Sequence, residues 1–152
     1  MTKTIIRKIK ESELDQLIDL YQHLVPEDDP LPSEDKLLQL WQAILVNPLL
    51  HYLVAEVDQR IVSSCTLAVI PNLTRGTRPY GLIEHVVTHS DYRKRGLATA
   101  VLHKAVEIAW DAGCYKVMLL TGSKRPETLR FYEQAGFNRH EKTGFIIRSP
   151  QQ

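Results

Sequence analysis

Residues 86–98 read VVTHSDYRKRGLA, and the architecture of the chain can be derived from this junction. The β-branched residues at its start continue an apolar run, so residues 81–88 are predicted to form a strand. A polar turn and three cationic residues follow, and a long helix is predicted from Gly96. A helix N-terminus carries unpaired backbone amides and partial positive charge. The junction therefore predicts a site for a phosphate or pyrophosphate.

Other phosphate-binding motifs do not fit this junction. A P-loop requires GxxxxGK[ST], and a dinucleotide fingerprint requires three glycines where this stretch offers only Gly96. The small residues Gly96 and Ala98 allow an anion to approach the backbone closely. On these residues alone, an ordinary helix start with solvated basic side chains is the alternative.

The flanking sequence indicates a mixed α/β chain without repeats or linkers, which is typical of one domain over residues 1–152. Strands are predicted at 4–9, 51–57, 61–70, 81–88, 115–121 and 144–148. Helices are predicted after the N-caps Ser12 and Ser33, from Gly96 to Ala112, and from Pro126 to Ala135. Helices and strands alternate only in the second half, so the sheet is expected to be mixed, with a parallel part around the Gly96 helix.

Composition limits the classes of function. The net charge is +1, but residues 1–76 hold 7 basic and 11 acidic side chains while residues 77–152 hold 12 basic and 7 acidic ones. This asymmetry favours an anionic ligand in the second half and a cationic substrate near the first, with chance as the alternative. Basic residues are not interleaved with aromatics, so no nucleic-acid partner is expected. No apolar run could span a membrane. Cys65 and Cys114 are interpreted as core thiols, and a cytoplasmic location is expected.

Several segments together resemble the GNAT superfamily of N-acetyltransferases. Arg93, Gly96 and Ala98 match the fixed positions of its acetyl-CoA motif, Q/R-x-x-G-x-G/A. Residues 131–137, FYEQAGF, match its Y-x-x-x-G-F signature. With residues 83–86 included, the second half is especially similar to the glucosamine-6-phosphate N-acetyltransferase branch. The resemblance covers residues 80–148 well, whereas residues 1–79 match only in element order.

Three positions depart from the family pattern. Lys94 stands where many members have a glycine, and this lysine either tightens the loop or adds a phosphate contact. Arg125 and Thr128 stand where many members have Asn and Ala. The departures at Arg125 and Thr128 affect the cofactor contacts expected from their helix, and they do not affect the assignment of Tyr132.

The resemblance implies a GNAT fold, which is a central mixed, twisted sheet of about six to seven strands flanked by about four helices. It implies acetyl-CoA as cosubstrate and no metal. Backbone groups of Val86, Val87 and Thr88 would pair with the pantetheine arm like an added strand. The residues implied in cofactor binding are Val86, Val87, Thr88, Arg93, Lys94, Arg95, Gly96, Leu97, Ala98 and Thr99.

Acyl transfer to an amine requires a group that takes a proton from the amine and one that returns a proton to the thiolate. Glu84 is the candidate base, because it lies in an apolar strand where partial desolvation would raise its pKa. It is predicted to share a face with Val86, two residues on. The alternative is a structural glutamate paired with an arginine. Tyr132 is the candidate acid, as the tyrosine of the family signature, and the alternative is an aromatic that packs on the core.

The remaining polar residues give weaker signals. His85 and His89 invite a metal interpretation, but no further ligands occur at suitable spacing, so no metal is expected. Acidic residues 27–29 are candidates for attracting an amine, with a solvated loop as the alternative. Arg75 and Arg78 are candidates for contacting an acidic group of the acceptor or a partner subunit. A homodimer is expected from the family, helped by pairing of the strand at 144–148.

The leading hypothesis is an N-acetyltransferase that transfers an acetyl group from acetyl-CoA to a primary amine of a small molecule, by direct attack in a ternary complex. A non-catalytic acyl-CoA-binding regulatory module of the same fold is the first alternative. A phosphate- or nucleotide-binding protein unrelated to coenzyme A is the second.

Overall fold

A computed structural model describes residues 2–151 and shows two compact units, one ending at Leu119 and the other beginning at Leu120. The first unit contains a five-stranded sheet. Its strands are β1 Thr4–Lys8, β2 Leu50–Val57, β3 Arg60–Ile70, β4 Tyr80–Thr88 and β5 Val117–Leu119. The strands lie in the order β1-β2-β3-β4-β5. All pairs are antiparallel except β4 with β5, which is parallel, so the predicted mixed sheet is confirmed.

Five helices accompany the sheet in the described residues. The first unit holds α1 Leu14–Tyr21, α2 Glu34–Val46, the four-residue α3 Thr74–Thr77 and α4 Leu97–Asp111, and the second unit holds α5 Pro126–Gln134. None of these helices is long and apolar enough to cross a bilayer. The predicted N-cap Ser33 is confirmed, since its Oγ accepts from the Lys36 amide at 3.4 Å.

The predicted N-cap Ser12 is wrong. Ser12 lies inside a 3₁₀ turn, Glu11–Glu13, and α1 begins only at Leu14. Glu13 stabilises the start of that turn instead, because its carboxylate accepts from the Lys10 amide at 2.7 Å, as the third residue of a capping box does. The same carboxylate also accepts from the Arg7 guanidinium at 2.9 and 2.7 Å, which fixes the start of α1 against β1.

Helices cover both faces of the sheet in the first unit, and buried side chains lie between each helix and the sheet. On one face α4 packs against β2, β3 and β4, and the Cys65 thiol points at the Val101 carbonyl 3.8 Å away. On the other face α1 covers a buried cluster that comprises Leu20, Val54, Ile61 and Val87. Buried α4 positions are Leu97, Val101, Leu102, Ala105 and Ala109. These positions recur at intervals of three and four residues and form the face of α4 that packs on the sheet.

The sheet has fewer strands than predicted. Residues 144–148 form no strand, and they lie exposed, with Phe145 90% and Ile147 96% accessible. Apolar and β-branched composition favours a strand there, but no strand of the described residues pairs with this segment. The strand predicted at 115–121 shrinks to β5, which is half-buried rather than buried. β5 lies at the edge of the sheet and pairs with β4 only over Gly81–Ile83.

Candidate active site

A β-bulge interrupts the pairing of β3 with β4. Ser64 lies opposite Val87, and Thr66 lies opposite Glu84, so two steps along β3 match three along β4. The extra residue is absorbed around His85, whose φ of 57° lies in the left-handed region.

The bulge changes which side chains share a face. Ser64 and Thr66 point to one face, and directly opposed residues point to the same side. Glu84 therefore shares its face with Val87. The prediction that Glu84 shares a face with Val86 is wrong, because the strict alternation of side chains along β4 ends at the bulge.

The second half of β4 has an open edge within the first unit. β5 pairs only with Gly81–Ile83, so beyond Ile83 the described strands accompany β4 on the β3 side alone. The His89 amide donates to the Val62 carbonyl on β3 at 2.8 Å. Because backbone direction alternates along a strand, Thr88 turns its amide and carbonyl away from β3. The Thr88 carbonyl accepts from Arg93 Nε at 3.2 Å, and the Thr88 amide is available to an extended ligand.

The loop after β4 is tightly specified. His89 Nδ1 accepts from the Asp91 amide at 3.1 Å and opens a 3₁₀ turn, Ser90–Tyr92. Lys94 then adopts φ 63°, a left-handed conformation that costs a non-glycine residue free energy. The glycine that the resemblance implies at this position would adopt this conformation without that cost.

The helix start of α4 exposes its amides. Gly96 is the N-cap with φ 77°, and a methyl group added there would meet nothing within 4 Å. The first intrahelical bond runs from the Ala100 amide to the Gly96 carbonyl at 3.0 Å. The amides of residues 97–99 therefore lack an acceptor within the helix and point out of its N-terminus. An anion can reach this backbone because the space beside Gly96 is open.

Two arginines brace the loop. Arg93 Nε donates to the Thr88 carbonyl at 3.2 Å. Arg95 donates to the Asp91 carbonyl at 3.3 Å and lies 4.9 Å from the centroid of the Tyr92 ring. Lys94 between them is exposed. The three cations directly precede the helix start in the chain and add to the positive potential at this end of α4.

The candidate base occupies a different environment from the predicted one. Glu84 is exposed on β4 rather than partly desolvated. Its cross-strand neighbour Thr66 lies in turn opposite Tyr52, which makes a polar row across three strands. Tyr21 on α1 approaches the same region, with its ring 5.7 Å from that of His85.

Two buried hydroxyls in this region were not predicted from the sequence. The Tyr21 and Thr66 hydroxyls meet no partner in ordinary hydrogen-bond geometry among the described residues. Burial raises the pKa of Tyr21 to about 12, although Thr66 is near enough to oppose that rise. Burial also raises the pKa of Tyr52. The sequence does show a threonine, Thr66, in an otherwise apolar strand. Only the register of β3 against β4 reveals that it lies opposite Glu84.

Tyr132 lies on α5 in the second unit. Its ring makes T-shaped contacts with Phe131 at 4.9 Å and Phe137 at 6.4 Å. The Tyr132 carbonyl accepts from the Phe137 amide at 3.1 Å. The residues that depart from the family pattern have local partners: Arg125 pairs with Glu127 at 2.6 Å, and Thr128 bonds Ser123 at 3.0 Å.

The cysteines are core residues, as predicted. Both are free and buried. Burial raises the pKa of Cys65 to about 12 and also raises that of Cys114, so neither thiol is poised as a thiolate nucleophile.

The His85 and His89 rings have different neighbours, because the His85 ring lies near Tyr21 while the His89 ring packs on His23. Within residues 2–151, no three His, Cys, Asp or Glu side chains converge in a metal-binding group.

The remaining charged candidates lie on loops. Residues 27–29 are exposed, and the Asp29 amide bonds the Asp28 carboxylate at 2.8 Å. The guanidinium groups of Arg75 and Arg78 lie 5.5 and 5.6 Å from the centroid of the Tyr115 ring.

Comparison with known proteins agrees with this geometry. The sequence profile of the acetyltransferase (GNAT) family matches residues 14–137. A glucosamine 6-phosphate N-acetyltransferase of Trypanosoma brucei brucei is 35% identical over 141 residues, which make up 90% of each chain. A solved structure from Agrobacterium tumefaciens str. C58, described as a candidate acetyltransferase, has 42% identity and a TM-score of 0.88, covering 95% of this chain and 99% of its own. A Trypanosoma brucei acetyltransferase structure has 32% identity and a TM-score of 0.81, with coverage of 96% and 100%. The chain therefore belongs to the GNAT family of acetyltransferases.

Proposed function

We propose that this chain is an N-acetyltransferase, which moves an acetyl group from acetyl-CoA to a primary amine of a small molecule by direct attack in a ternary complex. One observation carries the proposal: the open backbone edge at Thr88 is followed, within one short loop, by the exposed amides at the start of α4. The family match spans residues from both compact units, which supports one acetyltransferase domain over residues 1–152.

Acetyl-CoA fits this backbone arrangement. The pantetheine arm carries amides, and strand-like pairing with Val86, Val87 and Thr88 would satisfy them. The pyrophosphate would bind the loop and helix start, where amides and cations face the same space. The residues proposed for this second contact are Arg93, Lys94, Arg95, Gly96, Leu97, Ala98 and Thr99. Bound acetyl-CoA supplies the thioester that the amine attacks.

The proposed chemistry assigns two proton transfers. An alkylamine has a pKa of about 10.4 and arrives mostly protonated. Glu84 takes that proton directly or through one water, a role that its exposed carboxylate allows. Tyr132 returns a proton to the departing thiolate. A backbone amide of β4 stabilises the tetrahedral oxyanion.

The acceptor is a small amine whose positive charge is drawn to acidic side chains of the first unit. The acidic residues 27–29 would attract the ammonium form. Glucosamine 6-phosphate is the first compound to test, because a relative that matches 90% of the chain bears that activity in its name.

Two measurements separate this proposal from its alternatives. Thermal unfolding is followed with acetyl-CoA, CoA, ATP and NAD at about 100 times Kd, where a specific ligand stabilises by about 2.7 kcal/mol. Equal stabilisation by ATP or NAD would favour a general nucleotide-binding protein. Thiol release is then measured over a panel of amines led by glucosamine 6-phosphate. Coenzyme binding without thiol release on any amine would favour the non-catalytic acyl-CoA-binding module.

A further inference from the structure

Two hydrogen-bond donors face each other beside residues 89–96, the loop between β4 and α4 that is proposed to bind the coenzyme and is called the coenzyme loop below. Arg60 Nη2 lies 3.1 Å from His89 Nε2. His89 Nδ1 already accepts from the Asp91 amide at 3.1 Å, so a neutral imidazole carries its proton on Nε2. A guanidinium has donors only. The short contact between Arg60 and His89 therefore lacks an acceptor.

The charges around His89 favour its neutral form. Burial lowers the pKa of His89, and the neighbouring His23, Arg60 and Arg93 lower it further. Asp91 opposes this effect, but its carboxylate is 81% exposed and lies 4.0 Å from His89 Nδ1. The surroundings thus carry more positive than negative charge and attract an anion.

The surrounding residues hold this pair of donors in place. The His89 side chain is only 15% exposed, and its ring lies 4.2 Å from that of His23 and 5.5 Å from that of Tyr92. The guanidinium groups of Arg60 and Arg95 both approach the Tyr92 ring, at 5.9 and 4.9 Å. Tyr92 therefore connects the donor pair with the loop that precedes α4.

We propose that Arg60 and His89 bind a phosphate monoester next to the coenzyme loop. A phosphate monoester carries three acceptor oxygens and close to two negative charges, so a single group supplies the acceptor that both donors lack. The phosphate has two possible sources. One is the 3′-phosphate of coenzyme A, which rests on the proposed function, and the other is a phosphorylated acceptor such as an amino sugar phosphate.

Paired ligands test the site in the full chain. Calorimetric titration compares CoA with 3′-dephospho-CoA, and glucosamine 6-phosphate with glucosamine, the sugars with and without CoA present. Arg60→Met removes one donor. His89→Asn removes the other, while its side-chain oxygen can still accept from the Asp91 amide. Arg148→Met removes an equal charge from an exposed position outside the pair.

In the unmodified chain, one phosphorylated ligand is expected to bind at least about tenfold more tightly than its partner lacking phosphate, as charge-assisted hydrogen bonds predict. The ratio is expected to fall below about threefold in Arg60→Met and in His89→Asn, and to persist in Arg148→Met. Melting temperatures confirm that the variants are folded. The ligand pair that shows the preference identifies the source of the phosphate.

Two results would overturn the site. Either neither pair shows a phosphate preference in the unmodified chain, or the preference survives in both donor variants. Failure of CoA and 3′-dephospho-CoA alike to bind would instead contradict the proposed coenzyme site. The sugar pair, titrated without coenzyme, then decides the phosphate site alone.

Discussion

Arg93 Nε donates to the carbonyl oxygen of Thr88 at 3.2 Å, which ties the coenzyme loop back to the last residue of β4. The bond is exposed, so it orders the loop more than it stabilises the fold. Arg93→Met is expected to weaken acetyl-CoA binding by about three- to tenfold and to change the unfolding free energy by less than about 1 kcal/mol. Titration calorimetry at low and high salt measures this loss, with Arg148→Met as the charge-matched control. Unchanged affinity at both salt concentrations would exclude Arg93 from coenzyme binding.

The contribution of Lys94 to backbone strain can be measured separately from the contribution of its charge. Its φ of 63° is unfavourable for any residue with a Cβ. Lys94→Gly and Lys94→Ala remove the same charge, but only glycine relieves the backbone. We expect the glycine variant to be more stable than the alanine variant by about 1 kcal/mol, from urea unfolding midpoints. Both variants are expected to bind acetyl-CoA less tightly than the parent, and by the same factor, because both lose the charge. Equal stability of the two would show that residue 94 is not strained.

The sequence was sufficient to predict local features of the site and insufficient for those that need two strands. The helix start at Gly96 and the cap at Ser33 depend on residues that are adjacent in the chain, so the local sequence is sufficient to predict them. The bulge at His85 depends on how β3 and β4 pair; histidine is enriched at positive φ, but the residue type alone does not locate a bulge. The placement of Glu84 beside Thr66 follows from that pairing. Residues 144–148 have strand composition, but composition does not supply a partner strand.

Glu13 links stability to pH through Arg7. Its carboxylate is 10% exposed and takes two bonds from the Arg7 guanidinium, at 2.9 and 2.7 Å. The Arg7 bonds hold the pKa of Glu13 below its ordinary value of 4.5, although burial opposes them. Because the folded-state pKa lies below the unfolded one, this stabilisation is fully present above pH 4.5 and is lost as the pH falls through the folded-state value.

Glu13→Gln is therefore expected to lower the unfolding free energy by about 1–3 kcal/mol at pH 7. The difference from the parent chain should shrink as the pH falls from 4.5 through the folded-state pKa, where the parent also loses the charge. Urea unfolding at several pH values measures it. The exposed Glu141→Gln serves as the control. A difference that does not shrink at any acid pH where the parent chain is still folded would contradict the assignment to Glu13.

Tyr132 is expected to act on turnover rather than on binding. Tyr132→Phe keeps the ring that contacts Phe131 and Phe137 but removes the phenolic proton. We expect kcat to fall by about tenfold or more, with acetyl-CoA affinity nearly intact. Thiol release and calorimetry measure the two effects, and Tyr115→Phe is the matched control. Equal turnover in Tyr132→Phe would remove this phenol from the mechanism.

Glu84 gives the most direct test of the proposed chemistry. Glu84→Gln keeps the size of this exposed side chain and removes its ability to take a proton. We expect kcat to fall by about a hundredfold, because a positioned general base contributes on that scale, while the Kd for acetyl-CoA stays within about twofold. Glu107→Gln, on an exposed stretch of α4, is the control. The loss should diminish at alkaline pH, since more of the amine then arrives unprotonated and needs no base. A loss of the same size at every pH would assign Glu84 to positioning the acceptor instead of accepting its proton.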